Sequence, residues 1–269
     1  MKISVVVPVF NSAQILNKLI NKIKITLSEF KFEVILVNDS STDSSWEVIE
    51  DLSKNKFIKG INLDQNYGQH NALIAGLNYA TGDFFILIDD DLQHNPNDII
   101  KIINKLNAGY DLCYTNYLNR KHPKDKIFFS KLSNLISSLI INKPFKLYLS
   151  SFKGFNKDLK NQIIKIKKRN IYLDVHLIKY AKKITTVDIL HQKRLLGKTN
   201  YSYFKLIKLW CSLIENIDTF DLKLSSIFVF PFKGLIFFIN TICNLFYARR
   251  KQFGISNKTF KNPLHNKKN

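Results

Sequence analysis

The chain has 269 residues, 45% of them hydrophobic and 13% aromatic, which suffices for a sizeable core and excludes general disorder. The formal net charge is +20, but it is uneven: residues 1–110 hold 10 Lys and Arg against 13 Asp and Glu, and residues 111–269 hold 31 against 8. This asymmetry predicts an anionic partner for the second half, either nucleic acid or an acidic membrane surface, with compositional drift as the alternative explanation.

The cysteines and the N-terminus both indicate a reducing compartment. The three cysteines are widely spaced and odd in number, which matches neither a disulfide framework nor a zinc pattern. Met1 and Lys2 lead directly into a short apolar run without a small-residue cleavage site, so no signal peptide is expected. We therefore predict that the protein works in the cytoplasm or on the cytoplasmic side of a membrane.

The first 117 residues alternate between strand and helix patterns. Short apolar and β-branched runs predict five buried strands, at Ile3–Val9, Val34–Val37, Ile58–Asn62, Phe84–Ile88 and Leu112–Tyr117. Helical spacing and a first-turn proline predict four helices between them, at Ile15–Phe30, Ser45–Asn55, Asn71–Ala80 and Pro96–Ala108. This strict alternation predicts an α/β fold in which helices cover both faces of a mostly parallel sheet.

After Tyr117 the sequence becomes basic and amphipathic, and we expect a helical C-terminal region. The predicted segments are a helix at Ile127–Ile141, a short mixed segment at Ser150–Asn156, a Lys-rich helix at Lys157–Lys168 and an amphipathic helix at Phe204–Ile217.

The most apolar stretch is Ile227–Tyr247. Its polar residues Lys233, Asn240 and Asn244 fall on one helical face, which favours an interfacial helix in the membrane plane over a span. The basic residues that follow, Arg249–Lys251, suit anionic headgroups. A helix docked on the rest of the protein is the alternative.

Polar clusters follow three of the predicted strands. They are Asn11–Ser12 after the first, Asn38–Asp43 after the second and Asp89–Asp91 after the fourth. Because open α/β sheets bind ligands at the carboxyl ends of parallel strands, we expect these clusters to form one site.

The acidic triplet Asp89–Asp91 predicts a cation site. Three adjacent carboxylates repel one another unless a cation or full solvation compensates, and Mg²⁺ or Mn²⁺ takes one or two carboxylates plus substrate phosphates. The carbonyl of Gln93 would be a further ligand if the segment stays extended.

The loop after the second strand offers a carboxylate to a base or a ribose. Thr42, Asp43 or Ser44 can cap the helix that follows, which leaves Asp39 available to a ligand. The chain has no G-x-G-x-x-G after its first strand and no Walker A motif, which excludes dinucleotide oxidoreductases and P-loop enzymes. A metal would therefore have to neutralise a bound diphosphate.

Five motifs occur in a characteristic order. They are Val5–Asn11 (VVVPVFN), Val37–Asp43 (VNDSSTD), Asn66–Gln69 (NYGQ, followed by Ala72 and Gly76), Ala80–Asp83 (ATGD) and Asp89–Pro96 (DDDLQHNP). With them the chain resembles the family 2 glycosyltransferases of the GT-A, Rossmann-like fold. Within that family it is most similar to the branch of dolichol-phosphate-mannose synthases and bacterial polyprenyl-phosphate glycosyltransferases.

The resemblance implies the following roles. Asp89, Asp91 and Gln93 would hold the metal and the donor diphosphate. The donor would contact Pro8, Val9, Asn11, Asp39, Asn66, Gly68, Asp89 and Asp90. Phosphate or acceptor groups would meet Arg120, Arg194, Lys198 and Tyr201, the last three within Arg194–Tyr201 (RLLGKTNY), and Asp89, Asp91 and Arg194 would be catalytic. Phe152–Lys153 resembles a Phe-Arg segment of the same branch.

The similarity covers about residues 1–225, with a nucleotide-sugar-binding half at 1–117 and an acceptor-side half at 118–225. We expect 226–251 to associate with membranes and the basic tail 252–269 to be disordered. The chain departs from the family at Ser12, which replaces a common Glu, and at Gln65, which replaces a common Arg. It also has one apolar segment where the branch often has two transmembrane helices.

These features predict an inverting, metal-dependent transfer from a UDP- or GDP-sugar to a polyprenyl phosphate in cell-envelope polysaccharide synthesis, at the cytoplasmic membrane face. The protein would attach peripherally or through one segment, and homo-oligomerisation stays open. An anionic phosphate needs no strong base, whereas the alternative acceptor, a sugar hydroxyl of a lipid-linked saccharide or surface polysaccharide, would need Asp174 as base. The competing interpretation of Asp174 is a solvated or capping residue.

Two other classes are disfavoured. The near-neutral first half and the absence of a recognised binding motif argue against a nucleic-acid-binding protein. The missing N-terminal glycine-rich loop argues against a sugar-nucleotide pyrophosphorylase.

Overall fold

The computed structural model describes residues 1–118, 134, 135, 137, 138, 141, 143–166, 171–190 and 216. With the exception of Asn216, these residues belong to the first of two units into which the chain divides, Met1–Asn200 and Tyr201–Asn269. The predicted helix at Phe204–Ile217 except Asn216, the apolar stretch Ile227–Tyr247 and the tail 252–269 lie outside the described residues. The five described residues between 134 and 141 are helical, as predicted for Ile127–Ile141.

The alternation predicted for the first 117 residues is confirmed. The strands are β1 (Lys2–Val9), β2 (Lys31–Asn38), β3 (Ile58–Asn62), β4 (Phe84–Leu87) and β5 (Leu112–Leu118). The helices between them are α1 (Ala13–Thr26), α2 (Ser45–Leu52), α3 (Gln69–Tyr79) and α4 (Ile99–Asn107), the last preceded by a 3₁₀ turn at Pro96–Asp98. The remaining described elements are β6 (Lys153–Asn156), α5 (Lys157–Ile163), α6 (Leu173–Tyr180) and β7 (Ile184–Leu190).

The seven strands form one mixed sheet in the order β3-β2-β1-β4-β6-β5-β7. Four of the six pairings are parallel, and only β6 runs antiparallel to its neighbours β4 and β5. The sheet is therefore mostly parallel, as expected, but β6 was predicted only as a mixed segment and β7 was not predicted. Four residues with the sequence KGFN give no strand periodicity.

Glycine at position 154 explains how so short a strand fits between β4 and β5. A Cβ atom there would lie 2.5 Å from Ile102 Cγ2 and 2.7 Å from Ile86 Cδ1. Gly76 on α3 has the same role, because a Cβ atom would lie 2.4 Å from Val6 Cγ1. Both glycines let backbone and side chains approach more closely than any other residue would allow.

Helices cover both faces of the sheet, as predicted. Alternate side chains of β1 point to opposite sides: Val5 and Val7 join one core cluster, and Val6 joins the other. The first cluster contains residues of α1, α2 and α4, and the second contains residues of α3, α5 and α6. Within the described residues, every helix is too short or too polar to span a bilayer.

Glu33 on β2 is buried by the sheet and carries a charge there. Its carboxylate accepts hydrogen bonds from Ser4 Oγ at 2.7 Å and Thr81 N at 2.7 Å, and it pairs with Lys59 Nζ at 2.9 Å and Lys2 Nζ at 3.1 Å. Burial alone would raise its pKa, but the bonds from Lys59, Thr81 and Ser4 outweigh burial and lower the pKa from 4.5 to about 2.

This shift predicts an acid-sensitive contribution to stability. Because the pKa is lower in the folded state, the contribution is complete above pH 4.5 and is lost as the pH falls from 4.5 towards 2. At about 1.4 kcal/mol for each pKa unit, we expect a contribution of roughly 3–4 kcal/mol at pH 7. Denaturant unfolding of the wild type and Glu33→Gln should differ most at neutral pH and progressively less below pH 4.5. Exposed Asp51→Asn is the control, and a Glu33→Gln effect that is constant with pH would contradict the assignment.

Candidate active site

The candidate site lies at the carboxyl ends of β1, β2 and β4, where the sequence placed it. Among the described residues, three that are not glycine adopt a left-handed backbone: Asn11 at φ 55°, Ser40 at φ 57° and Leu92 at φ 56°. Each lies in one of the three loops that follow these strands. Such strained conformations cluster where a ligand or catalytic geometry requires them, so this edge is distinguished by its backbone as well as by its polar residues.

The first carboxylate of the acidic triplet is held by two neutral donors. Asp89 Oδ1 accepts from Gln69 Nε2 at 2.6 Å, and Asp89 Oδ2 accepts from Ser151 Oγ at 2.5 Å. Gln69 begins α3 and Ser151 precedes β6, so two separate elements orient this side chain. Both donors lie outside the residues that the sequence identified as site residues, although Gln69 belongs to the quoted NYGQ motif.

Asp91 and Gln93 lie on either side of a turn. Leu92 is buried and left-handed, so the segment is not extended, and the condition under which Gln93 was placed on the same side as the carboxylates is not met. The turn instead lets Asp91 Oδ1 accept from Gln93 N at 3.0 Å. Burial of the leucine side chain offsets the cost of its conformation and fixes the direction of both neighbours.

Asp90 connects the loop after β4 to the loop after β1 by hydrogen bonds. Its Oδ2 accepts from Phe10 N at 3.0 Å and from Ser12 Oγ at 2.5 Å, which ties the loop after β4 to the loop after β1. Burial raises the pKa of Asp90 to about 6, despite these two hydrogen bonds. Ser12, where the family commonly has Glu, is therefore a partner of Asp90; a second carboxylate here would repel it.

Asp39, after β2, holds the loop before α3 in place by two hydrogen bonds. Its Oδ1 accepts from Tyr67 N at 2.7 Å and its Oδ2 from Gly68 N at 2.9 Å, and the residue is buried. Asp43 does supply an acceptor to the start of α2, from Ser45 N at 3.0 Å. Both Asp39 oxygens also bind backbone N–H groups, so Asp39 shapes this loop as well, and its contact with a ligand stays a prediction.

The remaining predicted donor residues of the first half gather at the same edge. Asn11 Oδ1 accepts from Thr42 N at 2.8 Å, and Asn66 Nδ2 donates to the Asp39 carbonyl at 3.2 Å. Pro8 and Val9 end β1, in register with the end of β2. The phosphate-binding candidates Arg120, Arg194, Lys198 and Tyr201 lie outside the described residues.

Asp174 on α6 is buried in an ion pair with Lys153 of β6, so the interpretation as a solvated residue is wrong. Besides Lys153, the Asp174 carboxylate binds a tyrosine: its Oδ1 accepts a hydrogen bond from Tyr114 Oη at 2.7 Å. Burial would raise the pKa of Asp174, but the Lys153 charge and the hydrogen bonds from Lys153 and Tyr114 hold it below its usual value, so it is ionised at neutral pH. Burial lowers the pKa of His70 to about 4 and keeps that ring neutral.

Lys153 was visible in the sequence only as part of the Phe-Arg-like segment. Its pairing with Asp174 is invisible there, because the two residues belong to elements that meet only in the folded chain.

The carboxylates fit a metal that is shared with a substrate. In the described part of the chain, no group of three or more His, Cys, Asp or Glu side chains is arranged to hold a metal ion. Mg²⁺ and Mn²⁺ sites that use one or two carboxylates and complete their shell with substrate phosphates and water need no such group. Asp89 and Asp91, both in the loop after β4, would supply that number of carboxylates.

Comparison with known proteins also indicates a glycosyltransferase. Residues 4–173 match the model of the family described as Glycosyl transferase family 2. Undecaprenyl-phosphate 4-deoxy-4-formamido-L-arabinose transferase from Enterobacter sp. (strain 638) is 30% identical over 234 residues, which cover 84% of this chain and 71% of the relative. The same enzyme from Klebsiella pneumoniae (strain 342) is 29% identical with the same coverage.

Solved structures share the fold. Glucosyl-3-phosphoglycerate synthase from Mycobacterium tuberculosis, in complex with Mn²⁺ and UDP-glucose, has a TM-score of 0.59 at 15% identity, covering 81% of this chain and 80% of that one. S. aureus TarS 1–349 has a TM-score of 0.50 at 21% identity, covering 81% and 66%. The sheet order, the carboxyl-edge site and the match over residues 4–173 together place the chain in glycosyl transferase family 2, as a glycosyltransferase with the GT-A fold.

Proposed function

We propose that this glycosyltransferase transfers a sugar from a nucleotide-sugar donor to a polyprenyl phosphate, with inversion and with the help of a divalent metal. The observation that carries the proposal is the 30% identity, over 84% of the chain, to an enzyme named for undecaprenyl phosphate. The site at the carboxyl ends of the strands supports the proposal, because its carboxylates can bind the metal that a nucleotide-sugar donor needs.

The donor end would be organised around the acidic triplet. Asp89 and Asp91 would hold Mg²⁺ or Mn²⁺, with Gln93 next to them, and the metal would stabilise the charge that develops on the leaving diphosphate. A structural neighbour that contains Mn²⁺ and UDP-glucose supports this role. Because Gln69 and Ser151 already orient Asp89, this carboxylate would need little reorientation when the donor binds.

The nucleoside would lie against the loops after β1 and β2. Pro8, Val9 and Asn11 would line one side of the pocket, and Asp39, Asn66 and Gly68 the other. Asp39 would contact the donor either directly, after the loop at Tyr67–Gly68 opens, or by holding that loop against the nucleoside. Either base, uracil or guanine, is compatible with the proposal.

The state of Asp174 favours a phosphate acceptor. A sugar hydroxyl must lose its proton to a base within hydrogen-bond reach, whereas a phosphate is already an anionic nucleophile. Asp174 is 4% exposed, and the lysine and tyrosine that bind its Oδ1 lower its basicity. Transfer to a hydroxyl of a lipid-linked saccharide, with Asp174 as base, is the second candidate.

The second half of the chain would serve the acceptor. Arg120, Arg194, Lys198 and Tyr201 would bind phosphates of acceptor or donor, within a catalytic domain that spans residues 1–225. The segment 226–251 would bind an anionic membrane surface at the cytoplasmic face, as the basic balance of 31 Lys and Arg against 8 Asp and Glu in 111–269 suggests.

The test is nucleoside-diphosphate release from a panel of UDP- and GDP-sugars. Each donor is assayed with Mn²⁺, with Mg²⁺ and with EDTA, in the presence and absence of a polyprenyl phosphate. We expect release that requires both the metal and the lipid phosphate.

Other outcomes separate the alternatives. Metal-dependent donor binding without stimulation by the lipid phosphate would favour a saccharide acceptor, and Asp174→Asn should then abolish turnover while donor binding persists. No release from any donor, together with no metal-dependent binding, would overturn the proposed reaction.

A further inference from the structure

We infer that Lys153 and Asp174 are positioning residues, whose buried ion pair fixes the two side chains that hold the Asp89 carboxylate. The inference rests on the proposed function only for its kinetic readout. It assigns no contact with substrate to either residue.

The orientation of Asp89 depends on two elements that are remote in sequence. Gln69, at the first position of α3, binds Oδ1, and Ser151, just before β6, binds Oδ2. A displacement of either element would rotate or release the carboxylate. The orientation of the Asp89 carboxylate therefore depends on the packing between α3 and β6.

The ion pair begins two residues after Ser151, at Lys153, the first residue of β6. Lys153 is in register with Leu87 on β4 and Tyr114 on β5, so its side chain points to the sheet face that α3 and α6 cover. There it meets Asp174, and the two side chains are 2% and 5% exposed. The ammonium group also lies 5.1 Å from the centre of the Tyr114 ring, whose hydroxyl binds Asp174.

The same cluster reaches the start of α3. His70, the residue after Gln69, packs against Tyr172 with ring centres 4.4 Å apart, and Tyr172 lies two residues before Asp174. The charges of Asp174 and Lys153 also influence the pKa of the His70 ring, so the three side chains are near one another. One cluster of Lys153, Asp174, Tyr114, His70 and Tyr172 thus touches both elements that hold Asp89.

A buried ion pair suits this purpose because its geometry is costly to disturb. Removing one partner leaves the other charged and uncompensated in the protein interior, so the surrounding backbone must move or admit water. Replacing both partners with apolar residues removes that penalty, although it does not restore the directional contacts. This difference between single and double variants separates a positioning pair from a catalytic base.

The chain offers a matched control. Glu33 is also a buried carboxylate that pairs with lysine, but its hydrogen bonds and ion pairs within the described residues are with Ser4, Thr81 and lysines, and none joins it to Gln69 or Ser151. Glu33→Gln should therefore lower stability without altering turnover. A general loss of stability and a specific loss of positioning can be told apart by comparing the two sites.

The experiment compares the full-length wild type, Lys153→Met, Asp174→Asn, the double variant Lys153→Met/Asp174→Leu and Glu33→Gln. Tyr114→Phe, which removes one hydrogen bond and no charge, is included in case the charge variants do not fold. For each, kcat, donor KM and the melting temperature are measured. Hydrogen–deuterium exchange of the peptide that covers residues 88–93 is measured without metal or substrate.

We expect Lys153→Met and Asp174→Asn to lower kcat at least about tenfold with a smaller change in KM, as misplaced catalytic groups do. Exchange in 88–93 should rise in both, and in Tyr114→Phe to a lesser degree, while Glu33→Gln keeps wild-type exchange and kcat within about twofold. The double variant should recover part of the kcat lost in the single variants.

Unchanged exchange in 88–93 and unchanged kcat in folded single variants would overturn the inference. A double variant as inactive as Asp174→Asn, next to an active Lys153→Met, would identify Asp174 as a base instead. If the wild type shows no lipid-dependent release, the proposed function fails, but the exchange comparison still decides the positioning role.

Discussion

Asp91→Ala is expected to lower metal-dependent sugar transfer by about 10³-fold or more, the size of effect that follows loss of a group stabilising the leaving charge. Asp91 is buried at the turn where Leu92 reverses the chain, so neither Asp89 nor Gln93 can take its place without moving the backbone. The kcat for nucleoside-diphosphate release should fall, and Mn²⁺ should no longer increase donor affinity.

The same variant should remain folded. Asp91 accepts a hydrogen bond from Gln93 N, among its other interactions, and its charge is among the causes that raise the pKa of Asp90. Loss of the bond and relief of the repulsion oppose each other, so we expect a melting temperature within a few degrees of the wild type. Asp51→Ala, at an exposed carboxylate on α2, is the control for charge alone. More than a tenth of wild-type turnover in Asp91→Ala would show that this carboxylate does not hold the metal.

Asp39→Ala is expected to lower kcat/KM by about 100-fold, mainly through a higher donor KM. The carboxylate is the acceptor for the N–H groups of Tyr67 and Gly68, and Gly68 has a φ of 86° that suits this tight turn. Without the acceptor these two part-buried donors lose their partners, at a cost of about 2 kcal/mol in the free energy of unfolding. The loop against the proposed nucleoside pocket would then be poorly ordered.

Asp39→Asn provides a graded comparison, because the amide keeps one acceptor oxygen but presents an N–H₂ group to the other backbone donor. Its loss in kcat/KM should fall between those of the wild type and the alanine variant. Equilibrium donor binding, measured with metal and without acceptor, separates the effect on the pocket from any effect on transfer. Wild-type donor affinity in a folded Asp39→Ala would rule out a role for this residue in the nucleoside pocket.

Local pattern and the resemblance predicted that the polar clusters lie at one edge of the sheet, and the reason is simple. Apolar runs such as Val5–Val9 are short and β-branched, which predicts buried strands, and polar residues after a strand lie at its end. The sequence pattern therefore predicted that Asp89–Asp91 follow a strand of the sheet, and in the structure they follow β4.

Contacts between distant segments were not predictable in this way. Strand β6 is four residues long and contains Lys153 and Gly154, and it becomes a strand only because β4 and β5 bind its backbone on both sides. The partners of Asp90 and Asp39 lie about 80 and 28 residues away from them. Propensity and periodicity describe neighbours along the chain and carry no information about such pairs.

By itself, the sequence determined the α/β alternation, the helices on both faces, the family and the edge of the sheet that carries the site, because each of these depends on local periodicity or on short motifs. Only the tertiary structure decided that Asp39 is engaged by two backbone donors, that Ser12 binds Asp90 and that Asp174 is buried against Lys153. The physical reason is that the direction and protonation state of a carboxylate depend on the donors and charges within a few ångströms of it. Those neighbours come from separate elements that meet only after folding.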